Sequence, residues 1–504
     1  MNQRRFDHIV VGGGSAGCVL AARLSEDPAV SVLVLEAGPD WRSKEAFDEI
    51  RSMNPGAVIT DARFADLRYD ELVARRTTAQ EPALFWRGRG MGGSSTVNGI
   101  LAIRALPEDH DGWGIDGWRW ADVLPCYRRL EHDHDFPSDP WHGADGPLPI
   151  MRMPQHRWGA VDAALAAAAD AAGYGWCVDH NAPTGSGVSP YATNCDPTAE
   201  ERVTTNDAYL EPARDRPNLT ILGDSPVDRV LLDGNTATGV RARIDGEWTD
   251  VEGDEVILCA GAVHSPAILL RSGIGPSGTV ADLPVGEHLQ DHPLCPLVLP
   301  LRDDALPADP TQRHTNVCVR YTSGLAGAGR NDMMMVGMNI VPAGPYGLLG
   351  AWVNECWSEG TLTLASTDPL VDPIVDERML DDERDRVRMR DAIRRLLALA
   401  ASEHFTAITT GPAFHPAAAV PTVDSSDDEL DTWMLRTAGD AQHICGTARM
   451  GTGDDAVVDT SCCVRGVDRL RVVDASVFPR VPRANTHLAV LAVAERAADL
   501  IRRR

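Results

Sequence analysis

With 504 residues, 43% of them hydrophobic and 24% charged, the chain can bury a large core and has the composition of a globular protein of about two or three domain-sized units. Its formal net charge of −26, without any long run of basic residues, argues against a nucleic-acid-binding surface, and no segment approaches the ~18 apolar residues of a membrane span. The eleven scattered cysteines favour reduced thiols, and the N-terminus lacks a signal-peptide pattern, so we expect a cytoplasmic protein.

The first predicted elements form a complete dinucleotide-binding βαβ unit. A strand, a glycine turn, a helix, a second strand and an acid follow in order: His8–Val11, Gly12-x-Gly14-x-x-Gly17, Cys18–Leu24, Ser31–Leu35 and Glu36. The glycines allow the backbone to approach a pyrophosphate, and the carboxylate is placed to accept hydrogen bonds from the ribose of an adenosine. A bare glycine-rich turn is therefore a poor explanation of this segment.

The pattern changes twice along the rest of the chain. An Ala-rich helix is predicted over Val161–Ala172, and strands follow at Leu219–Leu222, Val227–Leu232, Gly239–Ile244 and Glu255–Cys259, with a hairpin turn at 233–235. Later elements are strands at Met333–Ile340, Gly360–Leu364 and Leu470–Val473 and helices at 381–401 and 488–502. These interruptions of the α/β signal predict a discontinuous domain.

Metal-binding motifs are absent from the sequence. There is no H-E-x-x-H and no paired C-x-x-C, and the adjacent Cys462 and Cys463 lack metal-ligand spacing. We therefore predict no metal site.

Further motifs resemble one family over the whole chain. They are GRGMGGSSTVNG (88–99), the stretch 261–275, Val285–His292, Ser358–Gly360, Gln442–Gly451, Val473–Pro479 and Asn485–His487. In content, order and spacing they are similar to the glucose-methanol-choline (GMC) oxidoreductases. The resemblance implies an α/β fold with an α+β substrate domain: a discontinuous, Rossmann-like FAD-binding domain (1–150, 216–293 and 441–504), and a substrate-binding domain (151–215 and 294–440) whose antiparallel sheet covers the flavin.

Two histidines occupy the family's catalytic positions. Oxidation of an alcohol removes a hydride from carbon and a proton from oxygen, so the site needs a base near the hydroxyl. The resemblance assigns that role to His443, whose imidazole can accept a proton at neutral pH. It assigns to His487 a shared hydrogen bond to the hydroxyl, which stabilises the alkoxide-like transition state.

The remaining predicted site residues contact the cofactor through the motifs above. They are Gly12, Gly14, Ser15, Ala16, Gly17, Glu36, Ala37, Gly93, Ser94, Asn98, Gly99, Val227, Ala260, Asp474 and Ala475. Some relatives carry a flavin-linking histidine immediately before the position of Asn98, where this chain has Val97. The expected cofactor is therefore non-covalent FAD.

The favoured function is oxidation of a small-molecule alcohol, expected to be primary and aromatic or apolar, to an aldehyde or acid. The electron acceptor, either oxygen or a quinone or protein, stays open. An FAD-containing hydroxynitrile lyase is the alternative with the same histidine pair, whereas an NAD dehydrogenase or a nonenzymatic nucleotide-binding module is disfavoured. Residues 310–350 and 405–440 are expected to line the substrate pocket.

Overall fold

The computed structural model describes residues 5–56, 67–69, 71–309, 312–341 and 344–503. The centre of the described fold is a sheet whose parallel strands lie in the order Leu219–Leu222, Val32–Leu35, Phe6–Val11, Glu247–Leu258 and Leu470–Val472. Val32–Leu35 is entirely apolar and buried, and Glu247–Leu258 is buried continuously only over its last three residues, as expected where parallel strands are covered on both faces. The glycine turn and Glu36 therefore follow the carboxyl ends of neighbouring strands, where α/β proteins bind ligands.

The strand Glu247–Leu258 belongs to two parts of this sheet. Its C-terminal half pairs with the parallel strands, and its N-terminal half pairs with an antiparallel ribbon, Val227–Asp233 and Thr236–Ile244. The turn predicted at 233–235 joins the ribbon, with Gly234 at φ +58°. The ribbon thus returns the chain beside the nucleotide-binding strands.

A second, antiparallel sheet confirms the predicted fold class. Its strands lie in the order Gly439–Asp440, Pro293–Pro300, Tyr346–Val353, Met333–Met338, Val317–Tyr321 and Gly187–Pro190. The Met-rich strand is buried from Met333 to Gly337, so its first three methionines pack in the core. The exact domain boundaries stay a prediction.

Helices and short strands complete the described fold. The α-helices are Ser15–Leu24, Asp48–Arg51, Pro107–Gly112, Trp120–Leu130, Ala160–Ala171, Gly261–Arg271, Glu383–Ala400, Glu403–Thr406, Asp427–Thr437 and Thr486–Arg502. Smaller sheets contain Val73–Arg75, Ala83–Leu84, Glu131–Asp133, Leu148–Arg152, Ala192–Thr193, Cys195–Asp196, Glu201–Arg202, Ile274–Gly275, Ala281–Asp282, Thr361–Thr363 and Ile374–Asp376. Within the described residues, every helix is too short or too polar to cross a lipid bilayer.

A buried ion cluster lies away from the nucleotide-binding sheet. The His142 ring is 2.8 Å from Glu131 Oε1 and 3.0 Å from Asp179 Oδ2, and Arg152 is 2.8 Å from the other Asp179 oxygen. Side-chain atoms of Glu131, Asp133 and His142 that could bind a metal ion lie within 4.8 Å of one another, although no sequence motif predicted this grouping. Arg104 and Arg152 already bond these carboxylates, so the cluster is charge-compensated by side chains.

We expect this cluster to make stability depend on pH. Burial alone would lower the pKa of His142, but its hydrogen bonds to Asp179 and Glu131 raise it from 6.5 to about 9. A raised folded-state pKa stabilises the fold fully below about pH 6.5, and this contribution, ~3 kcal/mol, is lost as pH rises through 9. Melting temperatures at several pH values should show His142→Gln least stable relative to wild type in mild acid, with the gap closing in alkali. A gap that does not change with pH would contradict the assignment.

Candidate active site

His443 is brought to its place by two chain segments that run antiparallel. Pro293 pairs with Asp440, and Gln290 forms a bridge with Cys445, so residues 291–292 lie beside 441–444. The Asp291 carboxylate fixes the segments further, because one oxygen accepts from the backbone N–H of His443 at 2.8 Å and from that of His292 at 2.6 Å. The position of the predicted base is therefore set by main-chain contacts.

The imidazole of His443 has a hydrogen-bond partner on each nitrogen. Its Nδ1 lies 2.8 Å from His292 Nδ1, and its Nε2 lies 2.9 Å from the Asn485 side-chain nitrogen. The Trp352 ring meets the imidazole edge-on, with ring centroids 6.1 Å apart. Burial, and then the neighbouring His292 and Arg87, hold the pKa of His443 well below 6.5, so the ring is neutral at neutral pH.

His487 lies at the N-terminus of the last helix, Thr486–Arg502, for which Asn485 is the N-cap. Its Nδ1 is 3.3 Å from the hydroxyl of Ser15, the first residue of the glycine-turn helix. No residue in the described part of the chain hydrogen-bonds its Nε2. Burial, and to a lesser extent Arg202, lower the pKa of His487 to about 4, so this ring too is neutral.

Both predicted catalytic histidines line one cavity of about 840 Å³ together with most of the predicted cofactor residues. The lining includes Gly12, Gly14, Ser15, Ala16, Glu36, Ala37, Gly93, Ser94, Asn98, Gly99, Val227, Ala260, Asp474 and Ala475. Gly17 is the exception among the predicted residues. It is buried in the helix, where an added Cβ would overlap the carbonyl oxygen of Gly12. The structure thus places Gly17 at the contact between helix and glycine turn.

Two predicted cofactor acids are also structural clamps. The Glu36 carboxylate accepts from the backbone N–H groups of Gly13, Gly38 and Gly90 at 2.7, 2.9 and 2.9 Å, which ties the glycine turn to the 88–99 motif. The Asp474 carboxylate accepts from Gly261 N at 2.9 Å and from the Ser265 and Ser476 hydroxyls. Burial raises the pKa of both acids despite these donors.

Several residues of the site were not singled out from the sequence. His292 and Asn485 lie in recognised motifs, but their contacts with His443 join positions 151 and 42 residues apart. Arg202 lies outside every motif, yet its guanidinium donates to both the backbone and the side-chain oxygen of Asn98. Local spacing carries no signal for such pairings.

The expected substrate segments are only partly correct. From 310–350 the described residues His314 and Met338 line the cavity, and from 405–440 Asp440 alone does so. Most of 405–422 lies along a separate groove, where Phe414 and Thr409 form β-bridges to Val298 and Leu301. Leu101, Leu294 and Trp352 add apolar surface to the cavity wall.

Comparison with known proteins agrees with this geometry. Family models described as GMC oxidoreductase match residues 6–294 and 357–494. The chain is 37% identical to 5-(hydroxymethyl)furfural oxidase of Methylovorus sp. (strain MP688), with 99% of each chain covered, and 33% identical to oxygen-dependent choline dehydrogenase of Klebsiella pneumoniae, with 99% and 96% covered. The crystal structure of pyridoxine 4-oxidase from Mesorbium loti superposes with a TM-score of 0.89 at 31% identity, covering 99% of this chain and 100% of that one.

The matches cover both ends of the chain and the whole length of these relatives, so the resemblance seen in the motifs is confirmed. The enzymes are oxidases and dehydrogenases that act on CH–OH groups. The chain belongs to the GMC oxidoreductase family and is an oxidoreductase acting on alcohols.

Proposed function

We propose that the protein is an FAD-dependent oxidase of a primary alcohol carried on an aromatic or apolar body. The observation that carries the proposal is the cavity shared by His443, His487 and the ends of several helical segments. His443 provides a neutral imidazole, and His487 a second buried ring nitrogen that has no partner among the described residues. This combination suits removal of a hydroxyl proton beside a bound dinucleotide.

The cavity fits FAD by its backbone rather than by charged side chains. The helices beginning at Ser15, Gly261 and Thr486 and the 3₁₀ turn at Gly93 all present their N-terminal ends to it. Helix N-termini bind phosphate groups through free N–H groups and the helix dipole. An added Cβ at Gly261 would meet no atom within 4 Å, so this glycine leaves the backbone open to a ligand. When bound, FAD would supply the hydride acceptor.

The chain's own residues would handle the proton. His443 Nε2 is placed to accept the hydroxyl proton, with the Asn485 amide as its present neighbour at 2.9 Å. His487 would hydrogen-bond the same oxygen and stabilise the developing alkoxide. Both histidines are buried, which keeps the rings neutral and excludes bulk water from the reacting hydroxyl.

The proposed substrate class rests on the apolar part of the cavity wall. Trp352 meets His443 edge-on, and Leu101, Leu294 and Met338 line the same cavity, which favours a flat or apolar alcohol over a polyol. Two relatives are named as oxidases of 5-(hydroxymethyl)furfural and of pyridoxine, which supports both the aromatic alcohol and oxygen as the acceptor. We also propose a cytoplasmic compartment, because the eleven cysteines are scattered along the sequence rather than spaced as a disulfide framework.

The decisive experiment is anaerobic mixing of the purified protein with a panel of alcohols while flavin absorbance is followed. We expect aromatic primary alcohols to bleach the flavin faster than polyols, and deuterium on the alcohol carbon to slow the bleaching. Rapid recovery of the colour in air with peroxide formation would identify an oxidase, whereas recovery only with a quinone or dye would make the enzyme a dehydrogenase. A flavin that stays oxidised with every alcohol, while a cyanohydrin is cleaved, would instead identify a lyase.

A second expected result concerns the attachment of the cofactor. Val97 lines the cavity immediately before Asn98 and has no nucleophilic atom, so we propose that FAD is held without a covalent bond. Acid precipitation of the yellow protein should leave the flavin in the supernatant. Flavin that stays in the washed pellet would overturn this part of the proposal.

A further inference from the structure

A chain of hydrogen bonds behind His443 determines where its proton lies. It begins at the backbone carbonyl of Asn354, which is 3.0 Å from His292 Nε2. A carbonyl oxygen can only accept, so His292 Nε2 must carry a hydrogen. Asn354 itself is fixed, because its backbone N–H donates to Asp332 O and its side-chain oxygen accepts from the Trp352 indole.

The next bond joins the two imidazoles. Burial lowers the pKa of His292 to about 4, so the neutral ring has a single N–H, and that hydrogen is already on Nε2. His292 Nδ1 is therefore an acceptor. Since it lies 2.8 Å from His443 Nδ1, the hydrogen between the rings must belong to His443. Neutral His443 then has a lone pair on Nε2, the nitrogen that faces Asn485.

We propose that His292 is a positioning residue that holds the single proton of neutral His443 on Nδ1 and so keeps a lone pair on Nε2, where the substrate hydroxyl would replace the Asn485 amide as donor. The inference rests on the proposed function, in which Nε2 takes the substrate's hydroxyl proton. In that step the O–H bond breaks and an N–H bond forms at Nε2, while the Nδ1 proton stays in place. The resulting imidazolium still donates to His292 Nδ1, which stabilises its charge.

The surroundings of the pair favour this arrangement. Asp291 holds both backbones through one carboxylate oxygen, at 2.6 Å from His292 N and 2.8 Å from His443 N, so the two rings meet in a fixed geometry. The guanidinium of Arg87 donates to the carbonyl of Gln442, and its positive charge helps to lower the pKa of His443. Among the described residues, only His292 and Asn485 hydrogen-bond the His443 ring, since Asp291 contacts the backbone of His443 and Arg87 contacts the carbonyl of Gln442.

Three substitutions of similar size separate a role in proton placement from a role in packing. In His292→Asn the amide oxygen takes the place of Nδ1 and keeps an acceptor for His443. His292→Leu has nearly the same shape as asparagine but offers no acceptor, and His292→Gln keeps a donor for Asn354 while removing the acceptor beside His443. All three holoenzymes are first compared in FAD content and melting temperature.

Anaerobic flavin reduction by the best wild-type alcohol should then fall by roughly 10- to 100-fold in the leucine and glutamine variants and by less than about 10-fold in the asparagine variant. The asparagine variant should keep the wild-type pH profile between about pH 6 and pH 9, including any change caused by Asp291, whose pKa burial raises to about 7 beside both backbones. The leucine variant should stay slow across this range, because no other acceptor replaces His292 Nδ1 in the buried site. Equal rates in the three variants would overturn the inference.

A measurement without turnover tests the same point. The method is NMR of holoenzyme labelled with ¹⁵N at the histidine ring nitrogens. The two ring-nitrogen resonances that disappear in His443→Gln are those of His443. In the wild-type holoenzyme we expect them to show a protonated Nδ1 and an unprotonated Nε2. The opposite assignment would overturn the inference even if a leucine variant failed to fold. Failure of the proposed function looks different, because then no alcohol reduces the wild-type flavin.

Discussion

Replacing His443 with alanine is expected to leave FAD bound while slowing alcohol-driven flavin reduction by roughly 10²–10⁴, the usual contribution of a positioned general base. The residue's backbone is held by Asp291 and by the pairing of 290–294 with 439–445, none of which involves its imidazole. Loss of the ring should therefore spare the fold and the cofactor. The rate is best measured by anaerobic rapid mixing, with flavin content and melting temperature determined on the same samples.

His487→Asn is the matched control for this result. Asparagine can still hydrogen-bond the substrate hydroxyl, so the loss of rate should be clearly smaller than in His443→Ala. His487 is buried to nearly the same extent as His443 and lies in the same cavity. A difference in rate between the two variants would therefore not come from a difference in solvent exposure. If the asparagine variant were the slower of the two, the roles of the histidines would have to be exchanged.

Much of the fold could be predicted because its signals are local. The first two parallel strands are short, mainly apolar runs followed by Gly12 and by Glu36, and the helix predicted at 161–172 is observed at Ala160–Ala171. The strand predicted to start at Glu255 begins instead at Glu247, because its N-terminal half alternates polar and apolar residues and pairs with the ribbon rather than with the core. Half-exposed pairing of this kind leaves a weaker pattern than a buried strand.

The site shows the same division between local and non-local information. His443 and His487 each lie within a contiguous motif, so the sequence alone could single them out. The pairing of His443 with His292 arises only when strand 293–300 pairs with 439–440, and no spacing rule connects residues 151 positions apart. The expectation for 405–440 is only partly correct for the same reason, since the bridge between Phe414 and Val298 joins positions far apart in the sequence.

The structure also separates glycines that the G-x-G-x-x-G motif treats alike. Gly14 has φ −78°, which any residue can adopt, and a Cβ there would meet only Gly93 Cα at 3.8 Å while projecting at the cavity wall. Gly17 lies inside the helix, and a Cβ there would overlap the backbone oxygen of Gly12. The absence of a side chain at Gly14 thus leaves space for a ligand, whereas its absence at Gly17 allows the helix to pack against the backbone of Gly12.

We therefore expect opposite results from two alanine substitutions three residues apart. Gly17→Ala should lower the melting temperature strongly and yield little folded protein, because overlap with backbone can be relieved only by moving the helix away from the sheet, at a cost of about 1–3 kcal/mol or more. The flavin-free Gly14→Ala protein should have the same melting temperature as the flavin-free wild type. It should bind FAD roughly 5- to 150-fold more weakly, because the added methyl group would cost about 1–3 kcal/mol of binding free energy through its clash with the ligand. Thermal melting of the apoproteins and FAD titration would measure the two effects separately. A Gly14→Ala protein with full flavin affinity would show that the dinucleotide does not approach the first helical turn at this residue.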